Sequence, residues 1–201
     1  IMQQIRLVAP TDMSVLIFGE NGTGKEHIAH HLHDKSKRAG KPFVPVDCGS
    51  LSKDLAPSAF FGHVKGAFTG ADSTKKGYFN EAEGGTLFLD EVGNLALETQ
   101  QMLLRAIQER RYRPIGDKTD KSFNVRIIAA TNEDLEAAVS EKRFRQDLLY
   151  RLQDFVITVP PLRDCQEDIM PLAEFFREIA NKELECNVSG FSSEARKALL
   201  T

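Results

Sequence analysis

The sequence predicts an α/β fold in which a parallel sheet is flanked by helices, and three observations carry that expectation. The runs Val15-Leu16-Ile17-Phe18, Thr86-Leu87-Phe88-Leu89 and Val125-Arg126-Ile127-Ile128-Ala129-Ala130 lack the alternation of a half-exposed strand, which is the pattern of strands buried on both faces. Each run stops at polar residues, respectively Gly19-Glu20, Asp90-Glu91 and Thr131-Asn132. Helical patterns lie between them, so the connections are crossovers rather than hairpins.

Composition sets the outer bounds. With 41% apolar residues in a chain of 201, there is enough material for one sizeable core and the start of a second small unit. The charge balance, 26 basic against 29 acidic residues and a net charge of -3, argues against a domain whose main task is gripping nucleic-acid backbone. Basic clusters at residues 35–41 and at Arg110, Arg111 and Arg113 read as solvated faces, without a DNA role. The three cysteines, Cys48, Cys165 and Cys186, share no metal-ligand spacing and suit a reduced, cytoplasmic setting. No apolar run of membrane-spanning length and no signal peptide is present, so a soluble fragment without a membrane partner is expected.

The chain begins with Ile1, Ile5 and Val8 at helical spacing, ending before Pro10, and reads as starting mid-domain. After the first strand comes Gly19-Glu20-Asn21-Gly22-Thr23-Gly24-Lys25-Glu26, the spacing of a P-loop. Small residues there let successive N–H groups face a polyphosphate, with the positive end of the following helix behind them. Lys25 supplies a cation for the β and γ phosphates. Glu26 stands where a Ser or Thr usually touches magnesium; a carboxylate there could hold the metal through water but cannot copy a hydroxyl contact. Ile28, Ala29 and Leu32 form the buried stripe of this helix, which ends over residues 36–40. His27, His30, His31 and His33 crowd it; His27 and His31 have ligand spacing but no catalytic Glu between them, so a solvated face is favoured over a metal site.

Phe43–Asp47 reads as a second strand, and Pro45 argues against a central one. A short helix is expected over residues 51–60, interrupted or restarted at Pro57. Residues 61–72 have neither helical nor strand periodicity yet place Phe68 between Gly66 and Gly70. Two readings stay open: Phe68 tucked into the core from a loop, or a mobile loop hinged at the glycines that presents an aromatic ring and the Thr69 hydroxyl to a partner.

The run ending in Asp90-Glu91, downstream of a P-loop, is a Walker B element. Asp90 would hold magnesium directly or through water, and Glu91 would orient and polarise the water that attacks the γ-phosphate. A helix follows over residues 97–111, with Leu97, Leu104 and Ile107 on one side, and then a hairpin whose charged tip is residues 116–121. Asn132, at the carboxyl end of a central strand, sits where open α/β sheets bind ligands and can touch the γ-phosphate or its water. Arg145 and Arg151 lie six residues apart. On one continuous helix that is about 600°, or roughly 240° beyond a full turn, so they would face different ways. One would be an ion-pair partner of Asp147 or Asp154, the other an arginine finger reaching a neighbouring subunit's nucleotide. After a last strand at residues 155–159, Pro160 and Pro161 stop the sheet. A helical unit begins at Gln166–Glu183 with Ile169, Leu172, Phe176 and Ile179 as its stripe, in which Pro171 is tolerable only if it lies in the first turn; Ser192 or Ser193 caps a final helix.

Taken together, residues 19–26, 61–71, 84–91 and 144–152 resemble the central AAA+ domain of bacterial sigma-54-dependent transcriptional activators. The similarity covers almost the whole chain, and Gly66-Ala67-Phe68-Thr69-Gly70-Ala71 is its most specific element, since other P-loop ATPases share the Walker motifs but not this loop. The resemblance implies a P-loop NTPase of AAA+ type over residues 1–164, the start of a helical lid subdomain over 165–201, and nucleotide between them. It implies a ring, commonly a hexamer, that hydrolyses ATP with Mg2+ to remodel promoter complexes of RNA polymerase carrying sigma-54. Phe68 and Thr69 would contact the sigma factor, with the hairpin moving beside them. Arg145 and Arg151 match the candidate arginine fingers, Asn132 the γ-phosphate sensor, and Glu26 the residue usual in this family. Asp47 departs from the pattern: many members carry Asn, which relays nucleotide state by bonding the Walker B glutamate. An ionised Asp cannot donate, so this switch is expected to share a proton or to be weak. A later lid arginine, a DNA-binding helix-turn-helix and an amino-terminal sensory domain are expected outside residues 1–201. Two other readings compete with the activator: a nucleotide-gated binding module that hydrolyses poorly, and an AAA+ machine of another clade.

Overall fold

The computed structural model of the chain describes residues 1–200. Among the described residues seven strands form: β1 (Val15–Phe18), β2 (Phe43–Asp47), β3 (Thr86–Asp90), β4 (Arg111–Tyr112), β5 (Lys121–Ser122), β6 (Arg126–Thr131) and β7 (Phe155–Thr158). Five make one sheet in the order β2-β3-β6-β1-β7, every neighbouring pair parallel. The most apolar strands take the middle because burial on both faces removes most water-exposed area there. β6, buried at every residue, is central, whereas β2, which carries Pro45, lies at an edge. Strands β4 and β5 pair antiparallel as a separate hairpin.

Helices cover both faces. Side chains alternate across the sheet, so Leu16, Leu87, Leu89, Ile127 and Ala129 enter one core, and Val15, Ile17, Phe88, Ile128, Ala130 and Ile157 the other. The second core is closed by α1 (Met2–Val8) and α2 (Lys25–Asp34) through Ile5, Val8, Ala29 and Leu32. The first is closed by α3 (Ala56–Phe61), α4 (Tyr78–Glu81), α5 (Leu97–Glu109), α6 (Leu135–Ser140) and α7 (Gln146–Leu152). Arg126 on β6 is 1% exposed and serves as a rivet: its guanidinium donates to the carbonyls of Val8 at 3.0 Å, Ala9 at 2.8 Å and Met13 at 3.2 Å. The end of α1 leaves the Ala9 carbonyl without a helical partner, and a charged donor from the central strand satisfies it while adding to the Thr11 bonds at Val8.

Residues Ile1–Val159 form one compact unit and a second begins at Pro160. The second contains α8 (Gln166–Glu183) and α9 (Ser193–Leu200), the latter capped by Ser192 Oγ, which accepts from Ala195 N–H at 3.2 Å. Several details differ from expectation. Pro171 lies at the sixth residue of α8, past the first turn, with helix continuing on both sides. The stripe of α8 has no fully buried residue. In α5, Leu97 is exposed because the helix only then turns onto the core, while Leu104 and Ile107 are buried. His33 is buried rather than solvated, its ring bonded to Thr86 Oγ1 and the Lys41 carbonyl. Helix α3 starts at Ala56, with Pro57 in its first turn, where the missing N–H is no loss.

Candidate active site

Because the sheet is parallel and in register, Phe18 opposite Thr131 and Asp47 opposite Asp90, the carboxyl ends of β1, β2, β3 and β6 open at one edge. The P-loop, the acids and Asn132 all leave from that edge, which is where an open α/β sheet binds ligands.

Gly19 to Gly24 form the turn between β1 and α2. Gly24 caps the helix with φ +81°, a left-handed conformation that lets the backbone turn its N–H groups outward without a Cβ in the way. Thr23 closes the turn, its Oγ1 donating to the Glu20 carbonyl at 2.8 Å. Lys25 is 7% exposed, and its ammonium donates to the carbonyls of Gly19 at 3.0 Å and Glu20 at 3.1 Å. The loop is thereby folded around its own cation, which is presented at the helix N-terminus. Asn21, Gly22 and Glu26 are exposed, and Glu26 lies on the face of α2 beside His30, 3.9 Å from its Nε2.

At the end of β3, Asp90 Oδ1 accepts from the Glu91 N–H at 3.0 Å. Glu91 has φ +51°, a left-handed conformation that turns its carboxylate sharply off the strand; the Asn94 Nδ2 donates to its Oε2 at 2.9 Å. Asp47 has a different occupation: its Oδ1 accepts from the N–H groups of Gly49 at 2.9 Å and Ser50 at 3.3 Å, fastening the turn after β2. The three groups remain neighbours, since a side chain at Gly49 would press on Asp47 Oδ1, Asn94 Nδ2 and Glu91 Oε2. Cys48, 1% exposed, has a thiol pushed far up by burial and then by the charges of Asp47, Asp90 and Glu91, so it stays protonated and inert. The amide at Glu91 therefore comes from Asn94, three residues downstream, a spacing that the tight turn over Val92–Asn94 brings into reach.

Asn132 is exposed directly after β6. Arg145 is not in a helix at all: it is the N-cap of α7, so the rotation calculated for a continuous helix does not apply. Its guanidinium forks onto Asp147, with Nε to Oδ1 at 3.0 Å and Nη2 to Oδ2 at 2.7 Å. That bond raises the Arg145 pKa and lowers that of Asp147. Arg151 sits exposed in the last turn of α7, and among the described residues its guanidinium has no partner.

Gly66 to Ala71 form a closed turn, with Gly66 N–H donating to the Ala71 carbonyl at 2.8 Å and Ala71 N–H to the Phe68 carbonyl at 3.0 Å. Of the two readings for Phe68, burial in the core does not occur: the ring is 41% exposed and rests edge-on against His63, with centroids 5.0 Å apart. His63 is in turn fixed by Ser58, Oγ to Nδ1 2.7 Å. Thr69 is exposed at the tip beside it. The β4–β5 hairpin supports the loop from behind; its Gly116, φ +78°, lies so close that a Cβ there would come within 2.7 Å of the Ala67 Cβ.

Sequence reasoning overlooked Asn94, His63 and Gln100. The last had a visible signal, an amide at position 100 of a stripe continued by Leu103, Leu104 and Ile107.

The family model described as "Sigma-54 interaction domain" matches residues 1–158. Over 200 residues the chain is 49% identical to the transcriptional regulatory protein ZraR of Klebsiella oxytoca, covering all of this chain and 45% of that protein. It is 47% identical to the Sigma54-dependent transcriptional regulator SfnR of Pseudomonas fluorescens, over 92% of the chain and 50% of that protein. In structure it matches NtrX from Brucella abortus in complex with ADP, with TM-score 0.92 and 33% identity over 99% of this chain and 43% of that one. The chain thus spans about half the length of the curated relatives it matches.

Proposed function

The chain belongs to the sigma-54 interaction domain family, and from that premise we propose that it is the ATP-hydrolysing part of a transcriptional activator that remodels sigma-54 RNA polymerase at promoters. One observation carries the reading: the buried Lys25 ammonium and the turned-out Glu91 carboxylate leave the same sheet edge, a cation for the phosphates beside a base for the attacking water.

The loop's N–H groups and Lys25 would take the triphosphate, Lys25 exchanging the carbonyls of Gly19 and Glu20 for phosphate oxygens. Asn94 holds Glu91 so that one carboxylate oxygen is engaged and the other is left to accept from water. Asn132 would contact the γ-phosphate from β6. Among the described residues no group of three His, Cys, Asp or Glu converges as a metal cage, whereas Asp90 has one oxygen bonded to backbone and one to spare. That donor set fits Mg2+ bound jointly by one carboxylate and the phosphates, as is usual for this ion. Its charge would offset that developing on the phosphate oxygens.

Arg145 is committed to Asp147, so Arg151 is the better candidate to reach a neighbouring subunit's nucleotide in a ring. Gly66 to Ala71, with Phe68 and Thr69 displayed, is the surface offered to sigma-54. The test is Glu91→Gln in the intact protein. Turnover of ATP is expected to fall by about 10² to 10⁴, the usual worth of a general base, with ATP binding retained. Unchanged turnover would rule Glu91 out as the base.

A further inference from the structure

Gln100 lies wholly inside the protein, at 0% exposure, on the apolar stripe of α5. Both donors of its amide, and its oxygen once, are engaged by backbone groups outside α5. Nε2 donates to the Leu95 carbonyl at 2.7 Å and to the Arg143 carbonyl at 2.9 Å, while Oε1 accepts from the Arg145 N–H at 2.8 Å. Leu95 ends the turn that begins at Glu91: its N–H donates to the Val92 carbonyl, and Asn94 before it holds the Glu91 carboxylate. Arg143 and Arg145 flank the buried Phe144, and the Arg145 carbonyl accepts from Leu149 to open α7, whose last turn carries Arg151. One side chain thus spans two irregular segments that no sheet ladder joins. An apolar residue could fill the same volume, but it would leave these carbonyls and this N–H without the partner that fixes their spacing.

The structure assigns Gln100 the role of a positioning residue that sets the arginine-bearing segment 143–151 against the turn holding Glu91. The finger that a subunit offers its neighbour is then placed by the same frame that holds its own catalytic carboxylate. Two of the three bonds go to the arginine segment, so loss of the amide disturbs the neighbour's site before its own. This rests on the reading above that Arg151 acts across a subunit boundary.

The experiment uses Gln100→Met, which keeps the volume, and Gln100→Glu, which keeps the acceptor for Arg145 and at most one of the two donors; the second decides if the first does not fold. Each is made in the intact protein, alone and in rings mixed with Glu91→Gln or Arg151→Ala subunits. Alone, each variant is expected to bind ATP normally and to lose about 10²-fold in turnover, as a misplacement near 1 Å can cause. Mixing with Glu91→Gln should restore turnover, because the Gln100 variant keeps its own carboxylate and receives a well-placed finger. Mixing with Arg151→Ala should not, because no boundary then has one. Rescue by Arg151→Ala but not by Glu91→Gln, rescue by neither, or full activity of both variants alone would overturn the assignment. A control mixture of Glu91→Gln with Arg151→Ala must itself regain turnover; if it does not, the cross-subunit reading has failed and this role falls with it, a result distinct from the other three.

Discussion

Lys25 and Glu91 bring opposite charges to one sheet edge by different means. The lysine is buried and satisfied by carbonyls of its own loop, while the glutamate is swung out by a left-handed backbone and steadied by a neighbouring amide. Asp47, for its part, takes the N–H groups of Gly49 and Ser50 on its Oδ1 and so forms the turn after β2, while the amide on Glu91 comes from Asn94. His33 illustrates a buried group with a pH signature. The Lys41 carbonyl can only accept, so Nε2 carries the proton and Nδ1 takes the Thr86 hydroxyl. Burial holds its pKa below the ordinary 6.5; Asp34 and the Lys41 carbonyl oppose this, and His30 and Arg126 add to it. Since the folded pKa lies below the unfolded one, the neutral ring's contribution is complete above 6.5 and is lost as pH falls through the folded value. The thermal midpoint should therefore drop as the pH is lowered from 8 to 5, and His33→Asn should flatten that slope; an unaltered slope would place its origin elsewhere.

At the scale of elements, the hairpin and the turn of Gly66 to Ala71 act as one piece. Gly116 touches Ala67, and His63, at the loop's root, receives the Phe68 ring and bridges to Lys75 and Ile115. Gly116→Ala puts a Cβ into Ala67 at a left-handed backbone position, a strain of about 1–3 kcal/mol. The expected outcome is at least about tenfold weaker binding to sigma-54, equivalent to 1.4 kcal/mol, with ATP turnover little changed. Equal losses in both measurements would mean that the hairpin supports the nucleotide site instead. The boundary of α7 is an element-scale fact too. Starting the helix after Arg145 leaves that residue free to cap and pair with Asp147, and moves Arg151 alone to the exposed last turn.

For the whole molecule, the proposed coupling is between nucleotide at the sheet edge and the exposed turn of Phe68 and Thr69. Binding of the intact protein to purified sigma-54 is expected with ADP plus a γ-phosphate transition-state mimic, and Thr69→Ala should abolish it while leaving ATP turnover intact. No complex in a protein that turns over ATP would retain the nucleotide site and remove sigma-54 as its partner. Much of this molecule was legible beforehand. The strands near residues 15, 86 and 126 announced themselves by apolar runs without alternation, and the P-loop and paired acids by local spacing, because their chemistry is carried by residues adjacent in the chain. Local signals also carried α8, whose bounds match the predicted Gln166–Glu183, though Pro171 falls deeper in it than local rules allow. What only tertiary structure decided are the contacts made across sequence: His33 on Thr86, Arg126 on the end of α1, and Gln100 on Leu95, Arg143 and Arg145. Periodicity states which face of an element is buried but not what a polar group on that face will meet. That depends on the strand order and on where irregular segments end, which the packing of the whole domain sets.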